Sequence, residues 1–195
     1  MRQPTATTPS RDERITAAAL DLLRRKGPRD VTIEAVAAAS GVAKTTIYRR
    51  YRDRDEMLTA ALSSTTTPER PTDTSDLLPI LEWVADRSRA TIDDGIGVGG
   101  IAAVLTDADP AFTALIRSLL AEHRRNLAEV LAGTPGLRED LDVDAVLDTI
   151  VGAYLAERTR SGAVGPQWSR RILRTVWPML TTAPMPVEIQ GRKSG

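Results

Sequence analysis

The stretch Val31-Thr32-Ile33-Glu34-Ala35-Val36-Ala37-Ala38-Ala39-Ser40-Gly41-Val42-Ala43-Lys44-Thr45-Thr46-Ile47-Tyr48-Arg49-Arg50-Tyr51 decides how this chain folds. Thr32 is placed to cap a short helix over Ile33 to Ala39, and a second short helix follows over about Ala43 to Tyr48. Between them Gly41 supplies the positive φ that a sharp interhelical turn demands. Ile47 faces inward, and Lys44, Thr45 and Thr46 sit at the exposed start of the second helix, with Tyr48 and Arg49 one turn on. Two short helices joined in this way, with cations after the turn, have the pattern of a helix-turn-helix, whose second helix lies in the major groove of DNA.

Upstream, Ser10 and Glu13 form an S-x-x-E capping box that opens an amphipathic helix through Ile15, Ala18, Ala19, Leu22 and Leu23, ended by Gly27-Pro28. Downstream, Asp53 and Glu56 repeat the capping pattern before a fourth helix through Met57, Leu58, Ala61 and Leu62. Lys44, Arg49, Arg50, Arg52 and Arg54 fall within eleven residues that hold one acid, Asp53. The whole chain of 195 residues has a formal net charge of zero, but residues 1–62 carry +4 and residues 63–195 carry −4. The cationic surplus therefore lies with the helix-turn-helix.

These residues, followed by Asp53-Arg54-Asp55 and Met57-Leu58, resemble the DNA-binding domain of the TetR family of bacterial transcriptional regulators over about residues 10–60. The resemblance implies that Thr32 touches a phosphate, that Ala43, Lys44, Thr45 and Thr46 occupy recognition-helix positions, and that Tyr48 and Arg49 clamp the backbone. Arg54 stands where the family usually has Lys and Asp53 where it usually has Ser; the charge is kept, so Arg54 is expected to retain a phosphate contact.

The rest of the chain reads as helix. Residues 63–75 are rich in Ser, Thr and Pro and form a linker. Asp76 then caps a helix reaching Ile92, a glycine-rich turn over Gly95 to Gly100 leads to a shorter helix, and Asp109-Pro110 opens a long one of about 22 residues. Asp142 starts a helix with a core stripe, Val143, Val146, Leu147, Ile150, Val151, Tyr154 and Leu155, and a second stripe of small residues, Ala145, Thr149, Gly152 and Ala156. A last helix carries Trp168, Ile172, Leu173, Val176 and Trp177 and is limited by Pro178. The expected fold is all-α: an N-terminal three-helix helix-turn-helix domain with its following helix, plus a C-terminal helical bundle, about nine helices in total. The expected organisation is a flexible tail over 1–9, the DNA-binding domain over 10–62, the linker over 63–75, a ligand-binding and dimerisation domain over 76–182, and a flexible tail over 183–195.

Composition narrows the chemistry. There is no Cys and a single histidine, His123, which excludes thiol nucleophiles, zinc fingers and Cys/His metal clusters. Gly97-Val98-Gly99-Gly100 lacks the Gly-Lys-Ser/Thr of a phosphate loop, and the acid pairs lie at helix boundaries, where caps and the helix dipole favour them. No enzyme, cofactor or metal is expected. No apolar run approaches the roughly 20 residues of a membrane span, and a cytoplasmic protein is expected.

The resemblance further implies a homodimer on a pseudo-palindromic operator and a small-molecule effector held in the bundle. Ala145, Thr149, Gly152 and Ala156, with Trp168, Ile172 and Val176 of the last helix, are the expected dimer face. Trp83, Arg87, Phe112, Ile116, His123 and Tyr154 are the candidate effector lining, although core packing is the plainer reading of each aromatic and a core-edge position that of His123. The function expected is a repressor released by that effector. An activator or ligand-independent regulator would use the same head, and a helical carrier or interaction module would leave the Lys44 to Arg54 charges as a solvated face.

Overall fold

The computed structural model describes residues 9–66, 72 and 75–190. Ser10 and Glu13 close their capping box: the Ser10 hydroxyl accepts from the Glu13 amide at 3.1 Å and the Glu13 carboxylate from the Ser10 amide at 2.6 Å. Helix α1 (Arg11–Lys26) follows and stops at Gly27, whose φ is 83°. After a 3₁₀ turn over Pro28–Asp30, Thr32 caps α2 (Ile33–Ser40), Gly41 turns at φ 67°, and α3 (Lys44–Arg50) begins. Helix α4 is Arg54–Thr66. Its start is fixed by the Glu56 amide donating to Asp53 and the Arg52 amide donating to Glu56. It runs into the stretch read from sequence as linker, because Ser and Thr are tolerated in a helix whose opposite side is anchored by Met57, Leu58, Ala61 and Leu62. Residues 67–71, 73 and 74 of that stretch, and residues 1–8 of the tail expected over 1–9, lie outside the described residues.

The remaining helices are α5 (Leu77–Ala90), α6 (Gly97–Thr106), α7 (Pro110–Ala132), α8 (Val143–Ser161) and α9 (Trp168–Leu180). Nine α-helices and no strand are present among the described residues. The Asp109-Pro110 and Asp142 starts are as the sequence reading has them: Asp109 accepts from the Phe112 amide at 3.1 Å and Asp142 from the Ala145 amide at 3.0 Å.

The chain divides into two compact units, with one break, Thr67/Pro68, inside the stretch expected as linker and two further breaks at Ala90/Thr91 and Leu119/Leu120. One unit comprises Met1–Thr67 with Thr91–Leu119, the other Pro68–Ala90 with Leu120–Gly195. In the first, α1 packs on α2, α4 and α6, and α2 on α3. Ile15, Leu23, Val36, Ile47, Leu58 and Leu62 form its core, each such burial stabilising by about 2 kcal/mol. Gly95 to Gly100 do not form the expected turn. Thr91–Ile96 is a π-helical segment and Gly97 already opens α6. The glycines serve close approach instead: a Cβ on Gly97 would lie 2.5 Å from the Arg24 Cα, and one on Gly99 3.0 Å from the Leu23 carbonyl oxygen. α6 can therefore lie directly against the last turn of α1.

In the second unit α5 packs on α8 and α9. Tyr154 meets Trp168 edge-to-face, centroids 5.5 Å apart and planes at 86°. Arg124 of α7 bridges to Asp144 and Asp148 of α8 at 2.5 and 2.7 Å. Pro178 does not stop α9 at once; the helix runs two residues further, to Leu180. Over residues 181–190 the chain is packed rather than loose, and residues 191–195 of the expected tail lie outside the described residues. The Trp177 indole donates to the Ala183 carbonyl at 3.0 Å, and Ile189 is buried.

Candidate nucleic-acid interface

Helix α3 is two turns long and is held by what lies on either side of its outward face. Val42, Ile47 and Tyr51 are buried, so the helical period sends Lys44, Thr45, Tyr48 and Arg49 outward together. Tyr48 is 53% exposed, an unusual position for an aromatic ring unless a partner covers it. Thr46 is half-buried, Ala43 is exposed and provides no side-chain cap to α3, and Thr32 lies exposed at the start of α2 with its hydroxyl accepting from the Ala35 amide at 3.1 Å. Seven of the eight positions named from sequence thus share an accessible or partly accessible surface built on α2 and α3.

Arg54 does not join them. Its side chain is 25% exposed, and its guanidinium donates to the carbonyls of Val31 and Pro28 at 2.8 and 2.5 Å and to Asp109 at 2.8 Å. The expected phosphate contact is corrected accordingly: the charge is retained but directed inward. Burial pushes the Asp109 carboxyl up, yet the Phe112 amide and the Arg54 guanidinium outweigh it, and the group lies below the ordinary carboxylate value.

Two carboxylates on this surface escaped the sequence reading. Glu34 pairs with Lys44 at 3.2 Å and Asp12 with Arg50 at 2.6 Å. The Glu34 carboxyl is lowered by a backbone hydrogen bond and by Lys44. Both pairs are exposed, so they orient the cations more than they stabilise the fold. The only available signal was charge at the first turn of α1 and α2, which capping also explains.

The candidate effector residues are distributed over both units. Phe112 and Ile116 are buried in the first, and the neighbouring Thr113 hydroxyl is buried with no hydrogen-bond partner among the described residues. Trp83, Arg87, His123 and Tyr154 belong to the second; His123 is 6% exposed and Tyr154 is buried, while Trp83 and Arg87 are half-buried. Burial, and then the Arg87 charge, lower the His123 pKa from 6.5 to about 4. Its folded value lies below its unfolded one, so the unfolded chain binds the extra proton first as pH falls. Stability should therefore drop by about 3 kcal/mol between pH 6.5 and 4. Denaturant titrations across that window should show this loss in the native chain and not in His123→Leu; equal slopes would contradict it.

Of the expected dimer face, Ala145, Thr149, Gly152 and Ala156 are exposed along one side of α8, and Ile172 is half-buried. Trp168 and Val176 are corrected to core positions: each is buried within this chain, Trp168 against Tyr154. A groove of about 200 Å³ lies between α8 and α9, lined by Ala145, Val146, Thr149, Val176, Met179 and Leu180 among others. Among the described residues no group of three or more His, Asp or Glu side chains is placed to hold a metal ion. No single described helix is long and apolar enough to cross a membrane.

Comparison with known proteins bears on the same segment. Residues 15–61 match the model of a family described as bacterial regulatory proteins, tetR family. An uncharacterized HTH-type transcriptional regulator, YdeS of Bacillus subtilis (strain 168), is 27% identical over 151 residues, covering 71% of this chain and 73% of the relative. Among solved structures, a TetR transcriptional regulator from Agrobacterium tumefaciens superposes with a TM-score of 0.61 at 19% identity, covering 90% of this chain and 96% of its own. The ketosteroid transcriptional regulator KstR2 of Mycobacterium tuberculosis gives 0.56 at 19% identity, covering 93% and 100%. A protein from Saccharomonospora viridis in complex with choline gives 0.59 at 16% identity, covering 88% and 98%. At these identities the structural likeness is one of fold.

Proposed function

We propose that this chain, whose residues 15–61 match the tetR family of bacterial regulatory proteins, is a transcriptional regulator of that family and acts as a homodimeric repressor that grips a pseudo-palindromic operator and is released by a small molecule. The observation that carries the reading is the outward face of α3, where Lys44, Thr45, Tyr48 and Arg49 stand exposed on a helix pinned from behind by Ile47. Lys44 and Thr45 at the helix start reach base edges in the major groove, while Thr32, Tyr48 and Arg49 meet phosphates on either side.

One two-turn helix reads few base pairs, so two copies about 34 Å apart, one turn of DNA, or somewhat more, are needed for useful specificity. The exposed small residues of α8 support such pairing, because they let a second helix approach closely without uncovering a core. Nothing lies within 4 Å of a Cβ at Gly152. Gly152→Leu should therefore leave the fold of each subunit intact yet raise the dimer dissociation constant at least about tenfold, the effect of overfilling a close-packed seam. Sedimentation checks this; an unchanged dimer would place the seam elsewhere.

The effector reading is supported by a buried, unpartnered hydroxyl at Thr113 beside Phe112 and Ile116, and by the choline held by the Saccharomonospora viridis neighbour. A ligand that binds better to a packing unsuited to DNA lowers operator affinity by that difference in binding energy. The direct test is selection of bound fragments from genomic DNA by the full chain. A recurrent inverted repeat bound by two subunits, with reporter output rising when the chain is deleted, is the expected result. Recovery of fragments without a shared motif overturns the reading, and falling reporter output makes the chain an activator.

A further inference from the structure

Arg54 is the first residue of α4, yet its guanidinium joins three segments distant in sequence. Nε donates to the Val31 carbonyl at 2.8 Å, and Nη2 donates to the Pro28 carbonyl at 2.5 Å and to Asp109 Oδ2 at 2.8 Å. Pro28 opens and Val31 caps the 3₁₀ turn, which ends at Asp30, two residues before the α2 cap, Thr32. Asp109 uses its other oxygen, Oδ1, to cap α7 through the Phe112 amide at 3.1 Å. A planar guanidinium with several N–H donors in fixed directions suits this set of acceptors, and a lysine ammonium does not. Nη1 meets Asp55 at 3.1 Å, so two carboxylates flank the group where a phosphate would otherwise come.

We propose that Arg54 and Asp109 are a positioning pair for DNA reading: together they tie the turn before α2 and the start of α4 to the start of α7, and so set the angle at which α3 enters the groove. The inference rests on the DNA-binding reading above and extends it to residues that touch no DNA. A tilt of α2 at its N-terminus is carried into α3 through the buried Val36 and Ile47, because a close-packed core transmits displacement rather than absorbing it. Base contacts fail first under such a tilt, since they need closer geometry than phosphate contacts do.

The test uses the full chain as wild type, Arg54→Lys, Asp109→Asn and the double variant of these two, with Arg54→Ala for the salt slope. Each is titrated against a selected operator duplex and a random-sequence duplex over a range of salt, and each is melted without DNA. Arg54→Lys keeps the charge, and Asp109→Asn keeps an able N-cap while losing the ion pair. Each single variant is expected to weaken operator binding about tenfold, the double no more than either, as for contacting residues that act as one unit. Random-duplex affinity and the salt slope are expected to hold, whereas loss of global stability alone would leave the operator-to-random ratio unchanged. Wild-type binding by Arg54→Lys, tighter binding by Asp109→Asn, or a fall of about 0.9 in the salt slope for Arg54→Ala, as for one lost phosphate contact, would overturn the proposal. If the wild-type chain bound no duplex, the DNA reading would fail instead. The melts would still test the contact on which the pair depends, and additive shifts would overturn it.

Discussion

Gly97→Ala should destabilise the chain by about 3–5 kcal/mol, because it combines an L side chain at positive φ with overpacking against a backbone that has no room to yield. Gly97 has a φ of 70°, and its added Cβ would stand 2.5 Å from the Arg24 Cα and 2.6 and 2.8 Å from its Cγ and Cβ. The Arg24 side chain cannot simply swing away, since the closest atom is main chain and its guanidinium donates to the Asp94 carbonyl at 2.6 Å. The helix must lift off α1, uncovering Leu23 and the base of the head. Against a total stability of about 5–15 kcal/mol that loss is large. Gly152→Ala is the control within a single chain: there it sits inside a helix with open space around it, so at concentrations too low for pairing it should stabilise by up to about 1 kcal/mol through helix propensity. Urea titrations of the two variants should move the midpoint in opposite directions. A Gly97→Ala chain with native stability would mean that α6 is not seated on α1 as described.

The second large effect concerns reading rather than folding. Lys44→Ala with Thr45→Ala should lower operator affinity about a hundredfold, two base contacts of about 1–3 kcal/mol each. Stability should change by less than about 0.5 kcal/mol per site, because both side chains are exposed and the Lys44–Glu34 pair is a surface one. Random DNA should be bound nearly as before. Tyr48→Phe and Arg49→Ala, by contrast, should weaken operator and random duplex alike. Equal losses on every sequence for the Lys44 and Thr45 variant would move those residues to the phosphate contacts.

What the sequence made legible was local. Ser10 with Glu13, Thr32, Gly41, Asp109 with Pro110, and Asp142 each announce a helix end through chemistry completed within four residues, and each is realised in the structure. The outward set on α3 was also legible, because one apolar residue, Ile47, fixes the helix's rotation. What was hidden depends on partners far along the chain. Arg54 and Asp109 are 55 residues apart, and nothing near Arg54 distinguishes a guanidinium bound for phosphate from one bound for carbonyls. The glycines of 95–100 were read as a turn because the residue that tolerates positive φ is also the one that lets two backbones touch, and sequence does not say which use applies. Trp168 belonged to an apolar stripe whose two sides, core and partner, are written with the same residue types; only its contact with Tyr154 separates them.

The central claim is that α3 lies in the major groove, and it is tested most directly by binding interference on a selected operator whose purines carry methyl groups at N7, an atom on the major-groove edge. The account predicts that methylation blocks binding at two clusters about 34 Å apart, one turn of DNA, or somewhat more, on one face of the duplex. Binding that is indifferent to major-groove methylation throughout the operator would contradict it.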